Sequence, residues 1–542
     1  MGRKGETFIF DKFKAATLAK AIFVFFRNEG LSVRVLFIYP EIETHGNIPI
    51  ALTTLSAVLR SAKHSVDVFD CSQYVPEYAL EEKNASQGIF KPTPPAPVPV
   101  PPRRDIKCLH EDLARAVDAF NADIVGITAT SGTYPLGLEC GDIVKKHFPD
   151  KIVIVGGIHP TICPEEVIAE TSVDMICVGE GEDALLELCD ALQKNKSING
   201  IKNLWVKDKK NPQVVYKNPP RNLKDLNTLP VPDFSDFNDY DFYRPLDGNR
   251  YKMMNTDISR GCVFKCSYCS NHLLQELFSG CGNYHRKKDP HLAIAHIKQL
   301  KDRYQFNAVR FWDEDFTVFP AAYLKEFARL YKAEVNLPFV VYAGTRSVTR
   351  EKVEYLKEMG CITMAMAIES GNYWMRKYVL NRDITDEDII EKYRIVKQSG
   401  IRVSAYNMIG LPFETREMVF DTINLNRKVA PATSSVSAYL PYPKTRLAET
   451  AQKFGFLKTS SVYSKFKTDL DSPFLSRSEI NGLVRTFLLY TKLPKRFFPV
   501  LKKCERDEQF ADKAFPIMIG YLTNPDMNDA FKKINTLANP GL

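Results

Sequence analysis

Short apolar runs alternate with amphipathic stretches along the chain from residue 33 onward. Runs rich in β-branched residues predict buried strands, and apolar residues at helical spacing predict helices. The strands predicted for the first part of the chain lie at residues 33–39, 66–69, 124–128, 152–155 and 175–178. Helical patterns lie between them, as is typical of a doubly wound, mostly parallel α/β sheet. Residues 33–200 are therefore predicted to form one α/β domain.

A proline-rich segment interrupts this first domain at residues 71–107. Its sequence includes the run PTPPAPVPVPP, whose prolines lack amide donors and favour an extended polyproline conformation. The pattern of strands and helices resumes on its carboxyl side. We therefore interpret the segment as a surface insertion within the domain and not as a domain boundary.

A second series of strands and helices follows residues 201–250, which combine prolines with aromatic and acidic residues and are predicted to be a linker. Strands are predicted near residues 253–258, 308–312, 339–343, 363–368, 403–409 and 434–440, with helices in between. Successive strand–helix units predict a partial barrel over residues 251–458, with its active site at the carboxyl ends of the strands. Residues 459–542 have helical patterns and no clear motif.

The composition narrows the class of protein. With 542 residues, 44% hydrophobic and 25% charged, the chain suits several globular domains and excludes disorder and fibrous repeats. The net charge of +8 suits an anionic small-molecule substrate and is too small to predict a nucleic-acid partner.

Residues 1–32 are interpreted as an amphipathic leader, because their apolar run is too short to span a bilayer and no cleavage signal follows it. The protein is expected to be cytoplasmic, without an integral membrane span.

Small and polar residues follow three of the predicted strands in the first domain. In a doubly wound sheet the ligand lies beyond the carboxyl ends of the strands, where glycines allow a large flat ligand to approach the backbone. The predicted binding face consists of nine loop residues: Thr130, Ser131, Gly156, Gly157, His159, Gly179, Glu180, Gly181 and Glu182.

Three cysteines follow the first predicted barrel strand in the sequence Cys262-Val-Phe-Lys-Cys266-Ser-Tyr-Cys269. The chain's 12 cysteines are too dilute for a disulfide framework, so this cluster indicates metal ligation in a reducing compartment. Three thiolates fit an iron–sulfur cluster with one open iron, whereas a zinc site would need a fourth ligand. The candidates for that ligand, which keep the zinc alternative open, are Cys281, His272 and His285.

The CxxxCxxC spacing, with an aromatic residue before its last cysteine, resembles the signature of the radical S-adenosylmethionine superfamily. The resemblance implies a TIM-like barrel and a 4Fe-4S cluster held by Cys262, Cys266 and Cys269, with Tyr268 among the residues that bind S-adenosylmethionine. It further implies that the open iron binds the amino and carboxylate groups of S-adenosylmethionine, whose reductive cleavage yields a 5′-deoxyadenosyl radical. The reductant would be an external electron donor such as flavodoxin or ferredoxin.

The same resemblance assigns S-adenosylmethionine contacts to residues after the other barrel strands. Asp313 and Glu314 lie in an acidic run where the superfamily more often has a Gly-Gly-Glu turn, so the carboxylate that binds the amino group is left open. Glu369 and Ser370 occupy the ribose-binding position. The remaining assigned residues are Gly410, in the turn on the adenine side, and Arg346 and Arg382, as partners of the methionine carboxylate.

The GGIHP and VGEGE sequences of the first domain, placed before such a barrel, resemble the Rossmann-like cobalamin-binding domain of a large class of radical S-adenosylmethionine enzymes. The resemblance covers residues 33 to about 455 and implies that the nine loop residues contact cobalamin. Domains that supply a histidine to cobalt carry Asp-x-His-x-x-Gly after the first strand. Here that loop reads EIETHG, with a different spacing, so His45 is not expected to ligate cobalt.

The commonest activity of this class is methylation of an unactivated carbon or phosphorus centre, which implies a methyltransferase that uses the deoxyadenosyl radical and methylcobalamin. Two alternatives stay open: a cyclase or rearrangement enzyme without methyl transfer, and a non-enzymatic cobalamin- or zinc-binding protein. The substrate pocket is expected to be lined by residues 271–288, the stretch after Leu440 and the helical tail. Lys444 and Arg446 in that stretch would suit an anionic substrate.

Overall fold

The computed structural model describes residues 32–42, 48–75, 97–99, 103–457, 470–523, 533, 534 and 536. The predicted leader up to residue 31, His45 and most of the proline-rich segment lie outside the described residues. Two seven-stranded sheets dominate the described part, one in each predicted α/β region. No helix among these residues is long and apolar enough to cross a membrane.

The first sheet forms where the apolar runs predict it. Its strands are β1 Arg34–Tyr39, β2 Ser65–Asp70, β3 Ile124–Thr128, β4 Ile152–Gly156, β5 Met175–Cys177, β6 Leu204–Lys207 and β7 Val215–Lys217. Its helices are α1 Ile50–Ser61, α2 Leu109–Phe120, α3 Tyr134–His147, α4 Ile158–Ile162, α5 Pro164–Ala169 and α6 Glu182–Gln193. The order is β2-β1-β3-β4-β5-β6-β7, and β6 and β7 are the antiparallel strands.

Helices cover both faces of this sheet, which explains why β1 is a continuous apolar run. Val35 and Phe37 pack against α1 and α6, whereas Leu36 and Ile38 pack against α2 and α3. Gly126 in β3 leaves room for the Phe37 ring, since a Cβ there would lie 2.8 Å from a ring carbon. The result is a doubly wound domain whose strand ends are free to carry a binding face.

The second sheet contains the predicted series of barrel strands. Its strands are β8 Tyr243–Leu246, β9 Asn249–Thr256, β10 Ala308–Phe311, β11 Phe339–Gly344, β12 Cys361–Glu369, β13 Arg402–Ile409 and β14 Thr433–Ala438. Its helices are α7 Asn271–Leu277, α8 Pro290–Tyr304, α9 Ala321–Glu334, α10 Arg350–Met359, α11 Asp386–Gln398, α12 Arg416–Val429 and α13 Arg446–Lys453. The strands follow one another in chain order, and β8 is the antiparallel one.

This sheet curls into an open half-barrel with helices on its convex side. On β10, Val309 and Phe311 belong to the core beneath those helices. Because successive side chains of a strand point to opposite faces, Arg310 lies on the concave face. The concave face is therefore partly polar, as expected of a surface that encloses a ligand.

Three further helices pack against the last strands of the half-barrel in a separate apolar core. They are α14 Arg477–Lys492, α15 Phe498–Arg506 and α16 Glu508–Thr523. Glu505 is buried among them and accepts hydrogen bonds from Arg416 at 2.7 Å and from the Tyr490 hydroxyl at 2.5 Å. These are helices of the kind that the pattern beyond residue 459 predicts.

The region predicted as a linker, residues 201–250, extends both sheets. Strands β6 and β7 add an antiparallel hairpin to the first sheet, and β8 adds an antiparallel edge to the second. Each of these strands is too short to give a sustained sequence period, and edge strands lack the continuous apolar run of a central strand. The connection between the sheets is therefore residues 218–242 alone.

The carboxyl ends of the two sheets are joined by a cluster of ion pairs. Glu180, in the loop after β5, accepts hydrogen bonds from Arg286 at 2.7 Å and from Arg260 at 3.2 Å. Arg260 also pairs with Glu182 at 2.7 Å. Burial would raise the pKa of the Glu180 carboxyl, but the hydrogen bond from Arg286 and the two guanidinium charges outweigh it and hold that pKa below its usual value. Glu180 is therefore charged at neutral pH.

We expect Glu180→Gln to destabilise the contact between the sheets, because two partly buried arginines lose their shared carboxylate. The loss should be on the order of 2 kcal/mol, seen as a lower thermal midpoint. The contribution is present above the pKa of an unfolded glutamate, about 4.3, and is lost as the pH falls through the lower pKa of the folded state. Glu187→Gln, which removes a surface partner of Arg221, is the control and should leave the midpoint unchanged. Equal midpoints for both variants would contradict the assignment.

Candidate functional site

The three cysteines lie in the loop after β9, and polar groups point at their sulfur atoms. The backbone amide of Phe264 donates to Cys262 Sγ at 3.5 Å, and Asn271 Nδ2 donates to Cys269 Sγ at 3.5 Å. Arg346 Nη2 donates to Cys266 Sγ at 3.5 Å. Hydrogen bonds to sulfur stabilise thiolates and tune the reduction potential of iron–sulfur clusters. The donor set therefore fits a metal cluster.

The spacing of the sulfurs separates a cluster from a single zinc ion. A tetrahedral site with Zn–S bonds of about 2.3 Å brings its sulfurs within about 3.8 Å of one another. Within the described part of the chain, the only three potential metal-binding side chains with ligand atoms all within 4.8 Å of one another are His159, Cys163 and Glu166. The three cysteine sulfurs are thus spread more widely than mononuclear zinc requires, which disfavours the zinc alternative.

Burial raises the pKa of Cys262 to about 12 and that of Cys269 to about 11. A metal that binds these thiols must displace their protons. Gln275 fixes the loop by donating to the carbonyl oxygens of Cys262 at 2.8 Å and Phe264 at 3.0 Å. Gly261, with φ of 88°, allows the chain to pass against the Tyr284 carbonyl. Contacts among residues 261–284 therefore fix the conformation of the cysteine loop.

Tyr268, Glu369 and Arg382 form a network beside this loop. The Tyr268 hydroxyl donates to Glu369 Oε1 at 2.9 Å, and Arg382 Nη1 lies 3.3 Å from that hydroxyl and 3.8 Å from Cys266 Sγ. Arg382 is 6% exposed and also donates to the Ala367 carbonyl. The structure thus brings together three predicted residues. The hydrogen bonds of Arg382 hold it against Tyr268, which in turn contacts Glu369.

Only one of the two predicted acids after β10 is open to solvent. Asp313 is buried and accepts hydrogen bonds from the Ile258 amide at 3.1 Å and from the Ser259 hydroxyl. Desolvation, together with the charge of Asp257, raises the pKa of Asp313 to about 7. Glu314 is exposed, although the surrounding protein still desolvates it enough to raise its pKa. Asp313 therefore supports the strand end, and Glu314 is the acid that can meet a ligand.

The predicted residues Ser370 and Gly410 face inward. Ser370 is buried, and its carbonyl oxygen accepts from the buried Arg376 at 2.9 Å. Gly410 has φ of 77°, and its amide donates to Glu414 at 2.6 Å. A Cβ on Gly410 would lie 2.8 Å from Ile480 of α14. Both residues shape their turns through the backbone.

A cavity of about 280 Å³ lies at the carboxyl edge of the first sheet. Its lining is mostly apolar and includes residues that the glycine pattern did not single out, such as Phe37, Leu52 and Leu185. Six of the nine predicted loop residues line it: Gly156, Gly157, Gly179, Glu180, Gly181 and Glu182.

Two glycines of this edge occupy conformations that side chains would strain. Gly157 has φ of 102°, and a Cβ there would lie 2.7 Å from the Ala129 carbonyl oxygen. Gly179 has φ of 100°, and a Cβ there would lie 2.7 Å from the Phe278 ring. Both glycines are therefore required by the backbone conformation and close packing of this edge. We call this glycine-lined edge of the cavity the cradle, and its small residues fit the approach of a large flat cofactor such as cobalamin.

The other predicted cobalamin contacts lie beside the cavity. His159 is 2% exposed, its ring packs 4.2 Å from the Tyr134 ring, and its Nδ1 lies 3.1 Å from Ser131 Oγ. Burial lowers the pKa of His159, so the ring is neutral at neutral pH. Thr130 is exposed and is hydrogen bonded to Thr133. These contacts orient the loops, and His159 Nε2 lies 3.7 Å from a carboxylate oxygen of Glu166.

The cations suggested for an anionic substrate are paired with acids. Arg446 lies 2.6 Å from Glu276, and Lys444 lies 3.7 Å from Glu165. In contrast, Arg260 both lines the cavity and reaches across to Glu180 and Glu182. No motif marked Arg260 in the sequence; its position two residues before Cys262 was the available signal.

Comparisons with known proteins agree with this geometry. Residues 256–425 match the model of the radical SAM superfamily, and residues 102–189 match that of the B12 binding domain. An uncharacterized methyltransferase of Pyrococcus horikoshii is 29% identical over 66% of this chain and 75% of that protein. The anaerobic magnesium-protoporphyrin IX monomethyl ester cyclase of Cereibacter sphaeroides is 26% identical over 70% of this chain, which spans 61% of the cyclase.

Two solved structures share the fold. The methyltransferase TsrM from Kitasatospora setae, with cobalamin and a 4Fe-4S cluster bound, has a TM-score of 0.58 at 15% identity, covering 93% of this chain and 99% of that one. The cobalamin-dependent enzyme OxsB has a TM-score of 0.61 at 15% identity, covering 93% of this chain and 74% of that one. The two family models together show that this chain carries a B12-binding domain followed by a radical SAM domain, as do its structural neighbours among the cobalamin-dependent radical S-adenosylmethionine enzymes, and its cysteine loop and glycine cradle fit a 4Fe-4S cluster, S-adenosylmethionine and cobalamin as cofactors.

Proposed function

We propose that this enzyme is a methyltransferase that acts on an unactivated carbon or phosphorus centre of a small molecule. The observation that carries the proposal is the direct link between the two predicted cofactor sites. Arg260, which begins the cysteine loop, pairs with Glu180 and Glu182 in the loop that forms the cradle. Radical methylation requires both cofactors to reach one substrate, and this link fixes their sites side by side.

In this proposal Cys262, Cys266 and Cys269 hold the 4Fe-4S cluster, and the glycine cradle holds cobalamin. When bound, the cofactors supply a carbon radical for hydrogen abstraction and a methyl group for transfer. The protein supplies orientation and exclusion of water. Its external reductant is proposed to be a flavodoxin or ferredoxin, and its location to be the cytoplasm.

Glu314 and Arg346 are the residues we assign to the amino acid end of S-adenosylmethionine. Glu314 is exposed and lies close enough to Cys262 and Cys269 to perturb their titration. Arg346 lies beside Cys266 and stacks on Phe264 with its guanidinium carbon 3.8 Å from the ring centre. A carboxylate and a guanidinium beside the same cysteine loop suit the ammonium and the carboxylate of an amino acid.

Glu369 is assigned to the ribose. Burial raises the pKa of its carboxyl, while the charge of Arg382 and the hydrogen bond from Tyr268 oppose that rise. Its backbone has φ of 64°, a left-handed conformation that non-glycine residues rarely adopt. We infer that the strand end is bent there to present the carboxylate, with Arg382 as the positioning residue.

A second candidate function is oxidative cyclisation without methyl transfer. The observation in its favour is the similarity to the magnesium-protoporphyrin cyclase of Cereibacter sphaeroides, which covers 70% of this chain. Both reactions require deoxyadenosyl radical chemistry. Production of S-adenosylhomocysteine distinguishes them, because methyl transfer from S-adenosylmethionine leaves that product.

The cluster assignment is tested by Cys266→Ala after anaerobic reconstitution. The wild type should contain about four irons per chain, show a corrinoid spectrum, and produce both 5′-deoxyadenosine and S-adenosylhomocysteine. The variant should lose cluster absorbance and both nucleosides while it keeps the corrinoid. Cys281→Ala, on a nearby cysteine outside the motif, is the matched control and should behave as the wild type. Production of 5′-deoxyadenosine without S-adenosylhomocysteine would favour cyclisation. Absence of iron and corrinoid from the wild type would refute the family assignment.

Glu314→Gln tests the amino-group assignment. Loss of a charge-assisted hydrogen bond is worth about 1.5–3 kcal/mol, so the KM for S-adenosylmethionine in deoxyadenosine formation should rise at least tenfold with iron content unchanged. Glu276→Gln, which removes a surface ion pair with Arg446, should leave that KM as it was. An unchanged KM in Glu314→Gln would assign the ammonium to another acid.

A further inference from the structure

The concave face of the half-barrel carries an aromatic wall that the assigned cofactor contacts do not use. Trp312 and Tyr342 stack with ring centres 5.2 Å apart, and Tyr342 lies 6.2 Å from Tyr406. Trp312 is 38% exposed and Tyr406 is 39% exposed. Large aromatic side chains that are both aligned and open to solvent mark a surface for a ligand.

The intervening strand makes room beside this wall. Strand β12 runs between the strands of Tyr342 and Tyr406, and it places Ala365 opposite Tyr342 and Ala367 opposite Tyr406. Alanine at both positions adds only a methyl group beside the rings. We call the concave surface formed by the three aromatic side chains and these two alanines the recess.

A guanidinium lies at the inner end of the wall. Arg310 stands over the Trp312 ring with its guanidinium carbon 5.5 Å from the ring centre. Its Nε is buried and has no hydrogen-bond partner, and Arg310 makes no ion pair of 4.0 Å or less among the described residues. A buried donor without a partner costs about 1–3 kcal/mol, so this arginine is a natural partner for an incoming acceptor.

Arg244 brings a second positive charge to the same place. It lies on β8 opposite Tyr251, which packs with apolar residues of the concave face. Its guanidinium donates to the carbonyl oxygens of Tyr243 at 2.5 Å and Asp241 at 2.9 Å. Desolvation and the charge of Arg310 lower the pKa of Arg244 to about 10, while the charge of Asp241 opposes that lowering. Arg244 and Arg310 thus carry positive charge on the same face of the sheet, where a bound anion would be stabilised.

The wall leads from these arginines to the proposed reaction centre. Trp312 is two residues before Glu314, and Tyr342 is four residues before Arg346, which contacts Cys266. The anionic end of a bound molecule would thus lie inside the half-barrel, with its body directed along the wall toward the cysteine loop.

We propose that this recess is the substrate site and that it selects a flat, apolar molecule carrying a carboxylate or phosphate. Arg310 binds the oxyanion, Arg244 supports it, and Trp312, Tyr342 and Tyr406 pack against the body. The role of the bound molecule as substrate rests on the proposed function above. The binding of such a molecule does not rest on the proposed function, because the side chains of the recess are in place whichever reaction the enzyme catalyses.

Calorimetry on the anaerobically reconstituted holoenzyme tests the proposal. The probes are benzoate, 2-naphthoate and indole-3-acetate, each titrated beside its neutral amide. At least one carboxylate should bind tenfold or more tightly than its amide. Arg310→Gln should reduce that preference to threefold or less, and Arg310→Lys, which keeps the charge but not the planar fork, should give an intermediate value.

Two controls separate a ligand site from a structural role. Arg394→Gln removes an exposed arginine paired with Glu391 and should keep the full preference. Trp312→Ala should weaken the binding of the carboxylate and of the amide by similar factors, because the substitution removes packing against the ring and leaves the Arg310 charge in place. Iron content and circular dichroism equal to the wild type show that each variant is folded.

The proposal is overturned if carboxylates and amides bind the wild type equally, if neither class binds below millimolar concentration, or if Arg310→Gln keeps the preference. The outcome is independent of methyl transfer. Carboxylate preference without any S-adenosylhomocysteine from the enzyme would refute the proposed function and leave the recess as a binding site. Production of S-adenosylhomocysteine without carboxylate preference would refute the recess as a binding site and leave the proposed function standing.

Discussion

The structure depends on the ion-pair cluster that joins its two sheets. Glu180 and Glu182 come from the loop after a strand of the first domain, and Arg260 and Arg286 flank the cysteine loop of the second. These charges are largely removed from water, so each needs its partner in place. The contact therefore fixes the cradle and the cysteine loop relative to each other, which chemistry shared by two cofactors requires.

Much of the fold could be predicted from the chain because central parallel strands are continuous apolar runs and their helices are amphipathic. The doubly wound sheet and the series of barrel strands are both confirmed. The hairpin of β6 and β7 was missed, since short edge strands with one exposed face carry little periodic signal. The cysteine loop was recognisable because its residues are close in sequence.

The rest of the site depends on contacts between residues distant in sequence. Asp313 and Glu314 are adjacent acids, and only the fold shows that the first is buried under a strand end while the second is exposed. Arg310 and Arg244 converge from strands that are far apart along the chain. No spacing in the sequence identifies such a pair, because the two arginines share one face only after the sheet has formed.

The proposed function requires iron at the three cysteines and cobalt at the glycine cradle of the same molecule. Anomalous diffraction from crystals of the reconstituted protein, recorded at the iron and cobalt absorption edges, locates both metals. We expect an iron signal bounded by Cys262, Cys266 and Cys269 and a cobalt signal beside Gly157 and Gly179. Zinc at the cysteines, or cobalt absent from that edge, would contradict it.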